Sequence, residues 1–590
     1  MGLAPLAIWI VVSGLDDILV LAVYLLRGFL QRLKPPQLPF PTPQQLGALP
    51  ERRIAIMVPL WKEDGVIAQM LLHNLAAIRY QEYDFFVGAY PNDAPTQRAI
   101  RAVASRHKRV HLALCPHDGP TSKADCLNWI YQHMLMRETE TGLHYDLILT
   151  HDAEDLIHGE SLALVNYYSH SYGMIQTPVL PLPTPLREIT HGLYCDDFAE
   201  FHGKDMIVRG LMGGFIPSSG VGTTYTRAAL EMLALKESGR IFQPECLTED
   251  YENGLRLKEL GCEQIFIPIA YLDGQPLATR EYFPQSFRAA RRQRARWVTG
   301  IALQSWRRHG WRGGWSTKYW MWRDRKGLAG NVLSLVANLI TAYGCASWAW
   351  ARWAGLEWGL AEASNSRMLN ILLPATAVSG CVGLAARCFF TARIYGWRLA
   401  AGVPLRSILG NLLNSFASLA ALRRFGLSVW NHTPLVWVKT EHAYPNLNSI
   451  SDRRRRLGEI LIGTGVLSGE QLEFALAAKT QTKRIGEQLL HLGMITEDQL
   501  CLALSLQHGL PSRPVESWEV PQEVARTLPA QMSRSLGMLA IALESGELEM
   551  AGVDPPTQEV RETVERYTGQ RIHYTVIGKT NFERLCQELL

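Results

Sequence analysis

No CxxC pair occurs in this chain of 590 residues, and no His/Cys spacing of the kind that holds zinc, although ten cysteines are present. The cysteines therefore read as reduced thiols of a cytosolic or membrane protein, not as a disulfide frame or a zinc site. A GxxxxGK[ST] loop is also missing, which excludes a P-loop ATPase. The net charge of +4 is too small to argue for a nucleic-acid partner. Charged residues reach only 19% against an apolar 47%, near the globular average, so membrane content must be confined to a few segments. Ahead of the apolar stretch 5–26 there is no basic leader, and no small-residue cleavage site follows it, so it reads as a transmembrane anchor.

What is present divides into several units, as the length alone predicts. The expected order is a transmembrane helix at 1–30, a Pro-rich linker at 31–50, an α/β domain at 51–300 and a basic interfacial segment at 301–327. Two transmembrane helices at 328–392 follow, then an interfacial helix and linker at 393–450 and a soluble domain at 451–590. Arg307, Arg308, Arg312, Lys318, Arg323, Arg325 and Lys326 put the 31–327 region in the cytoplasm by the positive-inside rule. Residues 405–430 are apolar but interrupted by Asn411, Asn414, Ser415, Arg423 and Arg424, which favours a helix lying in the interface. Asp16 and Asp17, in mid-span, either pair with a basic neighbour or line a sugar path.

In 51–300 short apolar runs at 54–59, 84–90, 110–114, 145–151 and 264–269 alternate with helical patterns. That order predicts a doubly wound sheet with ligands beyond its strand C-terminal ends. Asp93 follows the second run in PNDAP, where a carboxylate can accept hydrogen bonds from a base or ribose. The segment 123–128 (KADCLN) opens a helix and offers Lys123 and Asn128 to a diphosphate. Asp152, Glu154 and Asp155 follow YDLILTH, supplying the oxygen ligands a hard divalent cation needs. In LTED, Glu249 and Asp250 precede a helix; Asp250 either caps it or serves as a general base. QRARW then brings Gln293, Arg296 and Trp297, a cation for phosphate charge and a flat face for a sugar ring.

These motifs in this order resemble the family-2 glycosyltransferases, the group containing cellulose, chitin and hyaluronan synthases. The resemblance implies a GT-A-like α/β fold and an inverting hexosyltransferase. Asp93 would bind the base, with Pro59, Glu63, Lys123 and Asn128 also on the donor. Asp152 with Glu154 or Asp155 would hold Mg²⁺ or Mn²⁺; DAED leaves the choice between those two open. Asp250 would act as base beside Glu249, while Gln293, Arg296 and Trp297 hold acceptor and diphosphate.

From 453 the composition turns soluble and helical, and RLGEILIGTGVLSGEQLEFAL (456–476) recurs as RIGEQLLHLGMITEDQLCLAL (484–504). Residues 536–590 predict strand, strand, helix, strand, helix. The repeat resembles the MshEN module of type II secretion ATPases, which implies cyclic di-GMP binding. Arg456 and Arg484 would hold the phosphates, Gly458 and Gly486 would allow close backbone approach, Leu457, Leu461 and Ile485 would contact the purines or the core, and Gln507 would join the site. Transferase, membrane spans and module together are similar to glycosyltransferases of the phage-adsorption type. That implies a multi-pass protein of the bacterial inner membrane with both soluble domains cytoplasmic, polymerising a UDP-N-acetylhexosamine onto a growing glycan. It also implies an outer-membrane export partner. The alternative is a non-catalytic receptor or secretion adaptor that keeps the transferase fold.

Overall fold

The computed structural model describes residues 3–33, 40–236, 240–272, 275–359, 367–433, 435, 457–458, 461, 466–467, 469–478, 484–508, 510–544 and 547–590. The chain forms two compact units: Met1–Ile67 with Ile78–Tyr444, and Ala68–Ala77 with Pro445–Leu590.

In the first unit a seven-stranded sheet runs in the order β3-β2-β1-β4-β7-β5-β8. Its strands are β1 (Ile54–Pro59), β2 (Tyr83–Ala89), β3 (Val110–Leu114), β4 (Leu147–Thr150), β5 (Met174–Gln176), β7 (Thr223–Thr226) and β8 (Gln264–Phe266). A separate strand β6 (Val179–Pro181) pairs in parallel with β9 (Thr279–Glu281). Strands β3, β2, β1 and β4 are parallel. Ile54, Ala55, Ile56, Met57 and Val58 are fully buried, as expected of a strand covered on both faces. The expected doubly wound order holds only for this half, because β7 is antiparallel to both β4 and β5. Strands β5, β6, β7 and β9 have three or four residues each, too short for a periodic signal in the sequence.

Three helices are long and apolar enough to cross a membrane: α1 (Leu3–Leu33), α7 (Trp315–Ala354) and α8 (Arg367–Tyr395). Between them in the chain lie α2 (Ala94–Ala104), α3 (Lys123–Thr141), α4 (Ile189–Glu200), α5 (Glu249–Glu259) and α6 (Phe287–Trp297). Asp16 is paired: Arg323 and Lys326 of α7 both reach it, the latter at 2.7 Å, and the Tyr319 hydroxyl donates to it at 2.6 Å. The same two cations reach Asp17 at 3.1 and 2.9 Å. Neutralisation by a neighbouring helix is thus the arrangement found, and it offsets the cost of carboxylates in an apolar helix.

The 405–430 stretch is one unbroken helix, α9 (Val403–Trp430), and it is not among the three apolar candidates. Its exposed side carries Leu405, Ile408, Phe416, Leu419 and Leu422, while Arg406, Ser415 and Ser418 are buried. Arg406 donates to Asp196 through Nε and Nη2 at 2.7 and 2.9 Å, and the Asn331 amide donates to the Ser418 hydroxyl at 2.9 Å. Of the polar residues that interrupt the apolar pattern, Asn414 accepts from Arg294 at 2.6 Å and Ser415 donates to the Asn331 carbonyl at 2.6 Å, whereas Arg423 is exposed.

In the second unit, β10 (Met538–Glu544), β11 (Glu547–Gly552) and β12 (Arg571–Val576) form a three-stranded sheet. With α13 (Gln558–Thr568) and α14 (Lys579–Leu589) they follow the predicted order. Ahead of them come α10 (Gly469–Ala477), α11 (Ile485–His491) and α12 (Glu497–His508). Leu457, Leu461, Leu467, Leu489 and Ile495 are core residues. A Cβ at Gly458 would stand 2.6 Å from Leu472, and one at Gly486 would stand 2.8 Å from Leu500. These are the same contact in the two repeats, each glycine letting a leucine close on its backbone.

Candidate active site

Because β7 runs antiparallel, the turn before it reaches the same sheet edge as the loops after β1 and β4; Thr150 pairs with Thr223. Helix α3 begins at that edge, capped by Ser122, whose hydroxyl accepts from the Asp125 N–H at 3.2 Å. The cavity there gathers residues from separated segments: Pro59 and Glu63, Lys123, Asp152 and Glu154, Glu249 and Asp250, and Gln293, Arg296 and Trp297.

The Lys123 ammonium sits 2.5 Å from Asp152 Oδ1. Burial opposes its charge, yet Asp152, Glu249 and Asp250 hold its pKa above the ordinary value. The Glu249 carboxyl is pushed up to about 7 by burial and by Asp250, against the pull of Lys123. Burial also raises Asp250, with Lys123 and Arg296 acting in the opposite direction. The Tyr251 N–H donates to Asp250 Oδ1 at 2.7 Å. The other oxygen, Oδ2, would lie 2.5 Å from a Cβ at Gly220, whose φ is +80°. A side chain there is excluded by space and by backbone conformation.

Arg296 donates to the Leu247 carbonyl at 3.2 Å, tying the end of α6 to the segment ahead of Glu249. Gln293 is buried with its Oε1 lacking a hydrogen-bond partner among the described residues, an acceptor facing a polar cavity. Behind Trp297 stand Tyr194 and Phe283, stacked on each other at 4.8 Å, with Trp297 edge-on to Tyr194 at 6.1 Å.

Three side chains expected in the site stand outside the cavity. Asp155 is fully buried; its Oδ2 accepts from His151 Nδ1 at 2.7 Å and from the Asp152 N–H at 2.9 Å. Asp155 therefore shapes the loop that presents Asp152 and Glu154. Asp93 accepts from the Lys62 N–H at 2.6 Å, securing the turn after β1. Asn128 faces another way: its amide donates to the Phe242 carbonyl at 2.7 Å, and its oxygen accepts from the N–H groups of Ile241 and Phe242. With both ends occupied, it clamps a loop.

Glu281, Trp61, Tyr90 and Phe283 also line the cavity, and sequence reasoning missed them. Burial and the nearby Asp155, Glu154 and Asp152 push the Glu281 carboxyl well above its ordinary range. It belongs to a three-residue strand and to none of the recognised motifs, so nothing local distinguishes it.

Among the described residues no group of three or more His, Cys, Asp or Glu is arranged to hold a metal ion. Asp152 and Glu154 nevertheless offer hard oxygen donors at the cavity, with Glu281 adding to an excess of carboxylate. That set fits Mg²⁺ or Mn²⁺, which commonly take one or two protein carboxylates and complete their shell with phosphate and water.

The family described as "Glycosyltransferase like family 2" matches residues 50–300, and the MshEN domain matches 508–590. The protein is a glycosyltransferase with a GT-A-like α/β domain and an MshEN domain. It belongs to the bacteriophage adsorption protein B family: it is 33% identical to that protein of Escherichia coli (strain K12) over 97% of this chain and 79% of the relative. Among solved structures, the mannosyltransferase PcManGT from Pyrobaculum calidifontis, in complex with GDP-Man and Mn²⁺, is 19% identical. That likeness covers 71% of this chain and 99% of that one, with a TM-score of 0.43. MshE with cdg is 27% identical over 23% of this chain and 100% of that one, with a TM-score of 0.22. The MshEN match begins after the 456–504 repeat. Within the repeat, Arg484 is exposed and pairs with Asp554 at 2.9 Å; Gln507 lies near the end of α12. Arg456 lies outside the described residues.

Proposed function

We propose that this protein is an inverting, membrane-bound polymerase that builds a surface polysaccharide from a UDP-N-acetylhexosamine and is activated by cyclic di-GMP. One observation carries the reading: Lys123, Asp152, Glu154, Asp250, Gln293, Arg296 and Trp297, distant in sequence, line one cavity. The donor diphosphate lies at the N-terminus of α3, where the helix dipole and Lys123 both favour negative charge. The acceptor sugar rests on Trp297, hydrogen-bonded to Gln293. Asp250 takes the proton of the acceptor hydroxyl, whose oxygen attacks the anomeric carbon as the bond to the diphosphate breaks, inverting that centre. Arg296 and Lys123 stabilise the departing charge. Mg²⁺ or Mn²⁺ held by Asp152 and Glu154, when bound, supplies further charge neutralisation at the diphosphate.

The domain limits given above, the cytoplasmic placement of both soluble domains in the inner membrane and an outer-membrane export partner belong to the same proposal. Cyclic di-GMP would be held through its phosphates by Arg484 and Arg456. Membranes supplied with a panel of UDP-sugars, with and without cyclic di-GMP, test the whole: UDP release from one donor, raised by the dinucleotide, is expected. Absence of release from every donor would favour a receptor or adaptor.

A further inference from the structure

We propose that the membrane helix α7 aims the base: Asp324 is a positioning residue that fixes Asp250 through Tyr251. The inference rests on the role given to Asp250 above. Tyr251 touches both acids. Its N–H donates to Asp250 Oδ1 at 2.7 Å and its hydroxyl donates to Asp324 Oδ2 at 2.7 Å. Asp324 is itself held by both Nη atoms of Arg209, each at 2.9 Å, while Arg209 Nε donates to the Phe215 carbonyl at 2.7 Å. Burial, with Asp324 beside it, holds the Tyr251 hydroxyl well above the ordinary tyrosine range, so it remains a donor.

This clasp has little slack. The Phe215 ring meets Tyr251 edge-on at 5.4 Å, and the Arg209 guanidinium lies 4.1 Å from the Phe215 ring centre. Cβ atoms at Gly254 and Gly214 would stand 2.2 Å from the Ile216 carbonyl oxygen and 2.4 Å from Trp320 Cδ1. Trp320 precedes Asp324 by one helical turn on α7, on the same face. The start of α5 is therefore tied to a membrane helix by one hydrogen bond, whose acceptor carboxylate is held in direction as well as distance by its bidentate ion pair with Arg209. An acceptor hydroxyl must meet the base within a narrow geometry, and a misplacement of ~1 Å can cost ~100-fold in rate.

The test uses the full chain reconstituted in lipid and the donor that the wild type turns over. Tyr251→Phe keeps the ring and removes the hydroxyl; Asp324→Asn keeps the shape and weakens the hold. Each is expected to lower kcat roughly tenfold to a hundredfold with donor KM and UDP affinity unchanged. The double variant should be no slower than the worse single one, because both changes break one tie. Wild-type kcat in Tyr251→Phe overturns the proposal, as does a loss of kcat, UDP affinity and thermal stability together. If Asp324→Asn fails to fold because Arg209 is left uncompensated, Tyr251→Phe alone decides. Asp250→Asn separates the two readings: turnover in that variant removes the base itself, whereas an inactive Asp250→Asn with a fully active Tyr251→Phe removes only the positioning role.

Discussion

The ammonium of Lys123 stands 2.5 Å from the carboxylate of Asp152, so the first residue of α3 and the first acid after β4 form one charged unit. The pair joins the cation proposed for the diphosphate to the acid proposed for the metal. Replacing Lys123 by Ala removes a charge-assisted hydrogen bond of about 1.5–3 kcal/mol. UDP affinity in the presence of Mn²⁺ should then fall about tenfold to a hundredfold. Calorimetry on the full chain checks this, and unchanged affinity would place the diphosphate elsewhere.

The two acids of DAED that follow Asp152 should behave differently. Glu154→Gln should weaken UDP binding only when Mg²⁺ or Mn²⁺ is present, since Glu154 lines the cavity. Asp155→Asn should instead lower the melting temperature, because the buried oxygen that accepts from His151 and the Asp152 N–H loses its charge. Equal metal-dependent losses in both variants would count against this division.

Asp250→Asn should reduce turnover by about 100-fold to 10,000-fold, the usual contribution of a general base, and leave UDP binding nearly intact. Measuring UDP release and UDP affinity side by side separates the two effects.

The Glu249 carboxyl, pushed from 4.5 to about 7, predicts a pH response of definite sign. Folding favours the protonated form, so this group's stabilising contribution is complete below about 4.5 and is lost as the pH rises towards 7. Activity should move the other way: ionised Glu249 adds negative charge beside Asp250 and makes it a stronger base, so turnover rises through about pH 7. Glu249→Gln should flatten that step. Superimposable profiles for the two proteins would separate Glu249 from the chemistry.

Arg484 pairs with Asp554 although both are well exposed, so that bond is weak and a phosphate can displace it. Arg484→Ala should reduce cyclic di-GMP affinity about tenfold to a hundredfold, while Asp554→Asn should raise it slightly. If neither change alters the heat of binding, the dinucleotide does not use Arg484.

By itself the sequence determined the motifs, their order, the apolar runs that become β1 to β4 and β8, the three helices long and apolar enough to cross a membrane and the alternation in 536–590. Each is local: a continuous apolar run, a 3.6-residue repeat or a short motif carries its own signal. Tertiary structure alone decided which carboxylates meet. In DAED the spacing leaves Glu154 and Asp155 equivalent, whereas in the fold Asp155 turns inward to His151 and Glu154 lines the cavity. Asn128 lies in the second turn of a suitable helix, but its side chain meets the 241–242 loop instead of the cavity. Glu281 ends, and Phe283 closely follows, a strand whose partner, β6, lies about a hundred residues earlier in the chain. The roles of Asp16 and Asp324 depend likewise on which helix lies alongside. A charge in an apolar segment announces that it needs a partner, while only packing names Arg323 and Lys326 for Asp16; Asp324 stands among basic residues and carries no such signal, and packing gives it Arg209 and Tyr251.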